Sequence, residues 1–303
     1  ENNIYIGGIM EHIEEAGVHS GDSSCSIPPY SLSTEIIEEI EKQSKKIATE
    51  LNVIGIMNIQ FAIQNNNIFV LEVNPRASRT VPFVAKSTGV QIAKLATKVI
   101  MGEKLKNIKK LKNFNELNLY SVKEPVFPFK KFQNVDVLRG PEMKSTGEVM
   151  GIDNNFENAF FKSQTAAGIN LPKKGLVFLS VKDKDKLELL AIGKKLIKLG
   201  FKLIGTKGTC EFLNKNNITI NKINKISEGS PHVVDLLESK EISLVINTTE
   251  GKISTGDSYI MRRNTLLTNT PYYTTIKGAI AAINSIEAQK NLNLQVRSLQ
   301  SIH

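Results

Sequence analysis

The sequence predicts a fold of the α/β and α+β classes in two domains, the first of mixed α and β structure and the second built on a parallel sheet. Its 303 residues are about twice the length of a typical domain. In the second half, short apolar runs alternate with helical segments, which is typical of a parallel sheet with helices on both faces. The first half differs, because a hairpin stands between its helices. Gly, Pro and Lys gather near 168–174, so we predict domains at 1–168 and 169–303.

The beginning of the chain is predicted to form a strand and then a helix. Residues 4–14 have the character of a strand. Ser33 is a candidate N-cap, because its hydroxyl can accept a hydrogen bond from a free N–H group of the first helical turn. Glu35 then lies in that turn, where a negative charge is favourable. Apolar residues follow at helical spacing, which predicts a helix over 36–51.

A hairpin is predicted next, with strands at 56–63 and 68–74. Asn65-Asn66-Asn67 lies between them, and Asn tolerates the left-handed backbone that turns require. If these three residues form the loop, position 60 pairs with position 72. Because side chains alternate along a strand, Gln60, Glu72 and Asn74 then share one face of the hairpin.

Three further segments complete the first half. Residues 91–101 are predicted to be a helix that ends at Gly102 as a left-handed cap. Residues 107–118 are polar and predict a surface connection. Residues 124–129 contain two prolines, which lack the N–H group that a central strand needs, so we do not expect a central strand there.

The second half is predicted to contain strands alternating with helices, with two helices at its end. The predicted strands are 176–181, 202–204 and 242–246, and the predicted helices are 186–199, 231–237, 256–267 and 277–290.

Composition and charge exclude several classes of protein. The net charge is +9, but Trp is absent and the lysines are scattered, so we expect no nucleic-acid binding. No apolar stretch approaches the roughly 18 residues that a membrane span needs, and the first residues do not resemble a signal peptide. Cys25 and Cys210 lie far apart and have no zinc-ligand spacing, which favours a reducing compartment. We therefore expect a cytoplasmic protein with no membrane partner.

The hairpin face is a candidate metal site. Gln60, Glu72 and Asn74 would present three oxygen ligands, which suit a hard divalent cation that keeps its other positions for water and phosphate oxygens. Arg76 and Arg79 follow at once, and a guanidinium is a natural partner for phosphate. The alternative, a solvated polar face, remains open on the residues alone.

Two loops at predicted strand ends are candidate phosphate sites. Gly205-Thr206-Lys207-Gly208-Thr209 follows one strand and Asn247-Thr248-Thr249 follows another. Ligands bind at the carboxyl edge of parallel sheets, where glycine lets the backbone approach a phosphate and N–H groups donate to it. Ordinary strand-end turns are the alternative.

Three long motifs are shared with a known family. GGIMEHIEEAGVHSGDS at 7–23, LEVNPRASRTVPFV at 71–84 and GPEMKSTGEVMG at 140–151 resemble signatures of the large chain of carbamoyl-phosphate synthase. The resemblance runs in order over essentially the whole sequence. It implies the carboxyl-terminal portion of an ATP-grasp domain, followed by a Rossmann-like, parallel-sheet domain of the methylglyoxal-synthase type that binds allosteric effectors.

The resemblance also implies an activity and partners. The family's second synthetase half phosphorylates carbamate with ATP and Mg²⁺ or Mn²⁺, giving carbamoyl phosphate for arginine and pyrimidine synthesis. The complete ligase hydrolyses glutamine through a glutaminase small chain. Small-molecule effectors, UMP, IMP or ornithine, are implied as ligands, and a higher oligomer is a further expectation.

Site residues follow from the same resemblance, position by position. Gln60, Glu72 and Asn74 would hold the metal, with Gln60 and Glu72 also at the ATP phosphates. Arg76 and Arg79 would be catalytic, with Arg76 at the transferred phosphoryl group. The remaining implied residues are Gly17, Val18, His19 and Ser20 for ATP; Ser180, Lys186, Thr206, Thr209, Lys225, Asn247 and Thr249 for a nucleotide effector; and Glu14, Asp22, Glu124 and Thr274 for ornithine.

The sequence starts inside the implied ATP-grasp unit, without the family's preceding lysines and phosphate-covering loop. We therefore expect no complete catalytic activity from these residues alone, and an effector-binding and assembly module is the alternative function. A carboxylase-type ATP-grasp ligase would require a biotin-related partner. A lyase acting on dihydroxyacetone phosphate would need a carboxylate base, and the loop after residue 246 supplies only Glu250.

Overall fold

The computed structural model describes residues 4–108, 111, 118–131, 136–248, 254–291 and 295–303. The strands of this described part are β1 (Glu11–His12), β2 (Cys25–Ile27), β3 (Asn58–Gln64), β4 (Asn67–Asn74), β5 (Tyr120–Val126), β6 (Gly147–Asp153), β7 (Leu176–Ser180), β8 (Lys202–Gly205), β9 (Asn221–Lys222), β10 (Ile242–Asn247) and β11 (Tyr272–Tyr273). Its helices are α1 (Thr34–Glu50), α2 (Val81–Thr88), α3 (Ile92–Ile100), α4 (Phe156–Ala166), α5 (Lys186–Lys198), α6 (Lys207–Lys215), α7 (Val233–Glu238), α8 (Ser254–Thr268) and α9 (Ile276–Ala288).

The first sheet is antiparallel, with strand order β1-β2-β5-β6. The sequence analysis excluded a central strand at 124–129, and this was wrong for its first residues, because β5 lies between β2 and β6. Proline is tolerated there since β2 pairs only with residues 121–123. The Val126 carbonyl oxygen accepts from the Thr146 N–H at 2.9 Å, so the backbone nitrogen of the preceding Pro125 points away from β6. It faces the side on which β2 no longer pairs, so the missing N–H group breaks no ladder. Of the strand predicted at 4–14, only the two residues of β1 are observed as a strand. Its pairing partner, β2, is only three residues long, which limits the length of β1.

The hairpin of β3 and β4 has the predicted pairing but a different turn. Asn65 and Asn66 form a two-residue turn with φ angles of 49° and 63°, the left-handed backbone typical of tight hairpins. The predicted three-residue loop was therefore wrong. A register shift between Gln60 and Phe61 then skips Leu71, so that Gln60 still pairs with Glu72. The β-bulge compensates for the shorter turn.

The helices of the first half largely agree with prediction. The Ser33 hydroxyl accepts a hydrogen bond from the Ile36 N–H at 3.5 Å, and α1 begins at the next residue. Helix α3 matches the predicted helix, and Gly102 has a φ angle of 97°. Helix α2, which contains Pro82 at its first turn, had no counterpart in the sequence analysis. The polar connection predicted at 107–118 lies mostly outside the described residues.

The second sheet is parallel throughout, with strand order β11-β10-β7-β8-β9. Alternate residues of its central strands enter two apolar clusters on opposite faces. Val177 and Leu179 pack with α5 and α9, whereas Phe178 packs with α7 and α8. Helices therefore cover both faces, as predicted, and the carboxyl ends of β7, β8 and β10 meet at one edge.

Helix α4 connects the two sheets. The Ser285 hydroxyl of α9 donates to the carbonyl oxygen of Glu157 at 2.8 Å, and the Tyr273 hydroxyl donates to the side chain of Gln164 at 3.1 Å. The apolar core is continuous across this contact. The domain boundary at 168/169 stays a prediction. Within the described residues, no helix is long and apolar enough to span a membrane.

Candidate functional site

The hairpin brings four polar side chains to one face. Gln60 lies opposite Glu72, and Asn58 lies opposite Asn74, so all four project from the same side of the two strands. The Asn74 side-chain nitrogen donates to Glu72 Oε1 at 3.0 Å. The sequence analysis missed Asn58, although its position two residues before Gln60 placed it on this face.

The donor set on this face fits a divalent cation such as Mg²⁺ or Mn²⁺. One carboxylate and the amide oxygens of Gln60 and Asn74 are hard ligands. Because the Asn74 side-chain nitrogen donates to Glu72, the Asn74 side-chain oxygen is the atom of this amide that can bind a metal. Among the described residues no three His, Cys, Asp or Glu side chains cluster in a way that could hold a metal. Any metal held here therefore depends on amide oxygens as well as Glu72.

A cavity of about 850 Å³ lies against β3, enclosed by residues 4–12 and helices α1 and α3. Its volume is in the range of nucleotide and cofactor sites. Of the implied ATP residues, Val18, Ser20 and Gln60 line the cavity, whereas Gly17, His19 and Glu72 do not.

The side chain of His19 is engaged in a local turn. Its Nδ1 accepts a hydrogen bond from the Gly21 N–H at 3.0 Å, and its carbonyl oxygen accepts from the Asp22 N–H at 2.9 Å. The Ser20 carbonyl oxygen accepts from the buried ammonium of Lys123 at 2.9 Å. These bonds fix the loop that borders the cavity, and Lys123 had no role in the sequence analysis.

The two implied catalytic arginines follow the hairpin on the surface. Both Arg76 and Arg79 are exposed. The Arg76 guanidinium donates to the carbonyl oxygen of Ala77 at 2.9 Å, and Arg79 contacts the sulfur of Met143. Arg76 lies two residues beyond Asn74, which is the last residue of β4, the strand that carries Glu72.

A second candidate site lies at the carboxyl edge of the parallel sheet. Thr206 is the N-cap residue of α6, but its hydroxyl does not cap the helix. It lies 3.2 Å from the Ser180 hydroxyl at the end of β7. The Lys186 ammonium lies 3.8 Å from the position that a Cβ would take on Gly208, in the first turn of α6. Two hydroxyls, a helix N-terminus and an ammonium group therefore converge, which suits an anionic group.

Thr209 and Asn247 use their side chains within the protein. The Thr209 hydroxyl accepts a hydrogen bond from the Val181 N–H at 3.3 Å, and only 2% of this residue is exposed. The Asn247 side-chain nitrogen donates to the hydroxyls of Ser258 at 3.2 Å and Tyr272 at 3.0 Å. Both residues shape the sheet edge through these internal bonds.

The other two implied effector residues are less closely placed. Lys225 is exposed and lies three residues beyond Lys222, which pairs with Gly205 at the end of β8. Thr249 lies outside the described residues. Its neighbour Thr248 joins two strand ends, because its N–H donates to the Ser180 carbonyl oxygen at 3.0 Å and its hydroxyl accepts from the Lys182 N–H at 3.1 Å.

Three of the four implied ornithine residues line one cavity. Glu14, Glu124 and Thr274 border a cavity of about 450 Å³ between the first sheet and α8, which we call the junction cavity. Asp22 is not part of its wall. Both carboxylate oxygens of Asp22 accept backbone hydrogen bonds, from Lys144 at 2.8 Å and from Ser145 at 2.9 Å.

The two carboxylates of the junction cavity share their partners. The Ser24 N–H donates to Glu14 at 2.6 Å, and the Ser24 hydroxyl bonds to Glu124. Arg139 contacts Glu14 and lies 3.6 Å from Glu124. Burial raises the pKa of Glu124 to about 7, against the opposing effect of Arg139. The sequence analysis missed both Ser24 and Arg139.

Comparison with known proteins assigns both halves of the chain to families. Residues 1–108 match the family described as carbamoyl-phosphate synthase L chain, ATP binding domain. Residues 188–274 match the family described as MGS-like domain. The predicted fold class, an ATP-grasp portion followed by a methylglyoxal-synthase-like domain, is confirmed.

Two solved structures show weaker similarity. Methylglyoxal synthase from Elizabethkingia anophelis is 18% identical, with a TM-score of 0.31, over 38% of this chain and 80% of its own. The biotin carboxylase domain of a thermophilic 2-oxoglutarate carboxylase is 17% identical, with a TM-score of 0.36, over 50% of this chain and 43% of its own. These scores are too low for either structure to inform the site.

Curated relatives match nearly the whole chain. The carbamoyl phosphate synthase large chain, C-terminal section, of Aquifex aeolicus is 50% identical over 99% of this chain and 60% of its own length. The large chain of Rhizobium meliloti is 52% identical over 99% of this chain and 26% of its own. That of Methanobrevibacter smithii is 50% identical over 98% and 28%. The chain thus spans between about a quarter and three fifths of these relatives, and it belongs to the carbamoyl phosphate synthase large chain family, of which it corresponds to the carboxyl-terminal section.

Proposed function

We propose that this chain supplies part of the ATP site at which a carbamoyl phosphate synthase phosphorylates carbamate. The observation that carries the proposal is the hairpin register, which sets Gln60, Glu72 and Asn74 on one face. Gln60 of this face lines the 850 Å³ cavity. The relatives are carbamoyl phosphate synthase large chains. The complete enzyme would provide carbamoyl phosphate for arginine and pyrimidine synthesis in the cytoplasm, with ammonia from a glutaminase small chain.

The chain's own residues would act by position and charge. Phosphoryl transfer needs alignment and charge neutralisation more than covalent participation by the protein. Gln60, Glu72 and Asn74 would hold Mg²⁺ or Mn²⁺, and the bound ion would neutralise charge on the ATP phosphates. Apolar side chains such as Ile59 and Leu95 line the cavity and would exclude water around the base. Arg76 would contact the transferred phosphoryl group.

We further propose that the second domain binds a regulatory nucleotide, such as UMP or IMP, at the amino terminus of α6. The supporting observation is the approach of Ser180, Thr206 and Lys186 to this helix end. Backbone N–H groups at a helix N-terminus favour a phosphate group. Thr206 is suited to this role because its hydroxyl is not used for capping. Thr209 would act indirectly, by holding the end of β7 through Val181.

Removal of the Thr206 hydroxyl is expected to weaken nucleotide binding. Thr206→Val keeps the size of the side chain but loses one hydrogen bond to a charged phosphate, which contributes about 1.5–3 kcal/mol. We expect at least about a tenfold loss of affinity for UMP or IMP by isothermal titration calorimetry.

Thr209→Ser is the matched control for this variant. It retains the hydroxyl that accepts from the Val181 N–H, so its nucleotide affinity should stay close to that of the unchanged chain. Equal binding of the nucleotide by the unchanged chain and by Thr206→Val would contradict the assignment of the phosphate to this helix end.

A further inference from the structure

Three successive residues at the end of β7 are bonded to the sheet edge where we place the nucleotide phosphate. The Ser180 carbonyl oxygen accepts from the Thr248 N–H at 3.0 Å. The Val181 N–H donates to the Thr209 hydroxyl at 3.3 Å, and the Lys182 N–H donates to the Thr248 hydroxyl at 3.1 Å. The backbone of Lys182 is therefore held by the same segments that form the candidate phosphate site.

The side chain of Lys182 lies between carboxylates of both domains. Its ammonium nitrogen is 3.7 Å from a carboxylate oxygen of Glu15 in the first domain and 3.8 Å from one of Asp185 in the second. Only 12% of the Lys182 side chain is exposed, so water and salt screen its charge less than that of a surface lysine. Because the two distances are nearly equal, a small shift of either carboxylate changes which of them pairs with the ammonium.

Glu15 belongs to the wall of the 850 Å³ cavity. Its carbonyl oxygen accepts from the Val18 N–H at 3.3 Å, and Val18, one of the implied ATP residues, lines the same cavity. Lys277 of α9 also lines this cavity, so the second domain reaches its wall. The pair of Lys182 and Glu15 thus connects the candidate phosphate site with the candidate ATP cavity.

We propose that Lys182 couples nucleotide binding in the second domain to the ATP cavity by exchanging its partner between Asp185 and Glu15. The inference rests on the proposed nucleotide site and describes how that site acts on the first domain. Coupling requires that a ligand favours one of two arrangements of the protein. The two carboxylates around Lys182 provide these two arrangements.

The Lys186 ammonium provides the link to a bound phosphate. It lies 2.7 Å from a carboxylate oxygen of Asp183, an exposed partner that a phosphate group would replace through charge-assisted hydrogen bonds. Asp185 directly precedes Lys186 and is the last residue of the turn that begins at Asp183. Movement of Lys186 towards a phosphate therefore shifts Asp185 relative to Lys182. This shift changes how strongly the Lys182 ammonium pairs with Glu15.

Hydrogen exchange of the 303-residue chain in the presence of UMP or IMP tests the proposal. In the unchanged chain, saturating nucleotide should change the exchange rates of the amides at 15–20 by at least about fivefold, the lower end of typical coupling between sites. Lys182→Met keeps an apolar stem but removes the charge, so nucleotide should leave these rates unchanged. Its nucleotide affinity by isothermal titration calorimetry should equal that of the unchanged chain. Lys184→Met, at an exposed lysine of the same turn, is the matched control and should keep the full response.

A double-mutant cycle in the complete enzyme provides a second measurement. The measured quantity is the ratio of the KM for ATP with and without the nucleotide, in carbamoyl phosphate formation. Lys182→Met and Glu15→Gln should each bring this ratio close to one. The double variant should have the same ratio as either single variant, because both changes remove the same pair.

Four results would overturn the inference, and they separate it from the proposed nucleotide site. Nucleotide binding without an exchange response at 15–20 of the unchanged chain, or with a full response in Lys182→Met, would contradict the coupling alone. Loss of nucleotide affinity in Lys182→Met would make Lys182 part of the nucleotide site instead. If neither UMP nor IMP binds to the unchanged chain, the proposed nucleotide site is wrong, and the inference fails with it.

Discussion

Replacement of Glu72 by Ala is expected to abolish carbamoyl phosphate formation in the complete enzyme. Glu72 is the carboxylate of the hairpin donor set, opposite Gln60 and bonded to Asn74. Its loss removes the negative charge that would bind the divalent cation. Loss of groups that merely support a metal ligand costs about 10–100-fold, so we expect a fall of at least about a hundredfold. The rate is measured as carbamoyl phosphate formed from ATP, bicarbonate and glutamine.

The matched control for this variant is Glu50→Ala. Glu50 is an exposed carboxylate at the last residue of α1, and its removal should leave the rate unchanged. Calorimetric binding of a nucleotide to the second domain should persist in Glu72→Ala, which would show that the chain is folded. Retained synthesis by the folded Glu72→Ala enzyme would refute the metal assignment.

Substitution of Gly151 by Ala is expected to destabilise the first domain strongly. Gly151 lies on β6, where it pairs with Val122 and packs directly against α4. A Cβ at this position would overlap the carbonyl oxygen of Ala159 and lie 2.5 Å from the backbone nitrogen of Ser163. These are backbone atoms, which cannot move away without shifting the helix. Overpacking of this kind costs about 3 kcal/mol or more.

The comparison with Gly147→Ala isolates the steric effect. Gly147 lies on the same strand, and a Cβ there would meet no atom within 4 Å. We expect this variant to change the free energy of unfolding by no more than about 1 kcal/mol. Chemical denaturation of both variants measures the difference. A denaturation midpoint for Gly151→Ala equal to that of Gly147→Ala would mean that β6 and α4 are not in direct backbone contact.

The hairpin illustrates how much of the candidate site a local sequence pattern predicts. The alternation of side chains predicted that Gln60, Glu72 and Asn74 share one face, and the structure has this pairing. The predicted turn was nevertheless wrong, because two asparagines rather than three form it. A β-bulge at Leu71 restores the register. Alternation along each strand is a strong local constraint, whereas turn length and bulge depend on details that composition does not specify.

The sequence alone therefore determined the features that arise from short-range periodicity and from long motifs. These are the parallel sheet of the second half and the membership of the family, whereas the predicted loop at 205–209 is largely the first turn of α6. The tertiary structure decided which side chains are already engaged. Arg139 meets Glu14 across 125 positions of sequence, and the Thr209 hydroxyl meets Val181 across 28. Contacts between distant segments leave no periodic signal, because they depend on how the sheets and helices pack. For the same physical reason, only the folded chain showed that Glu14 and Glu124 share Arg139 as a partner.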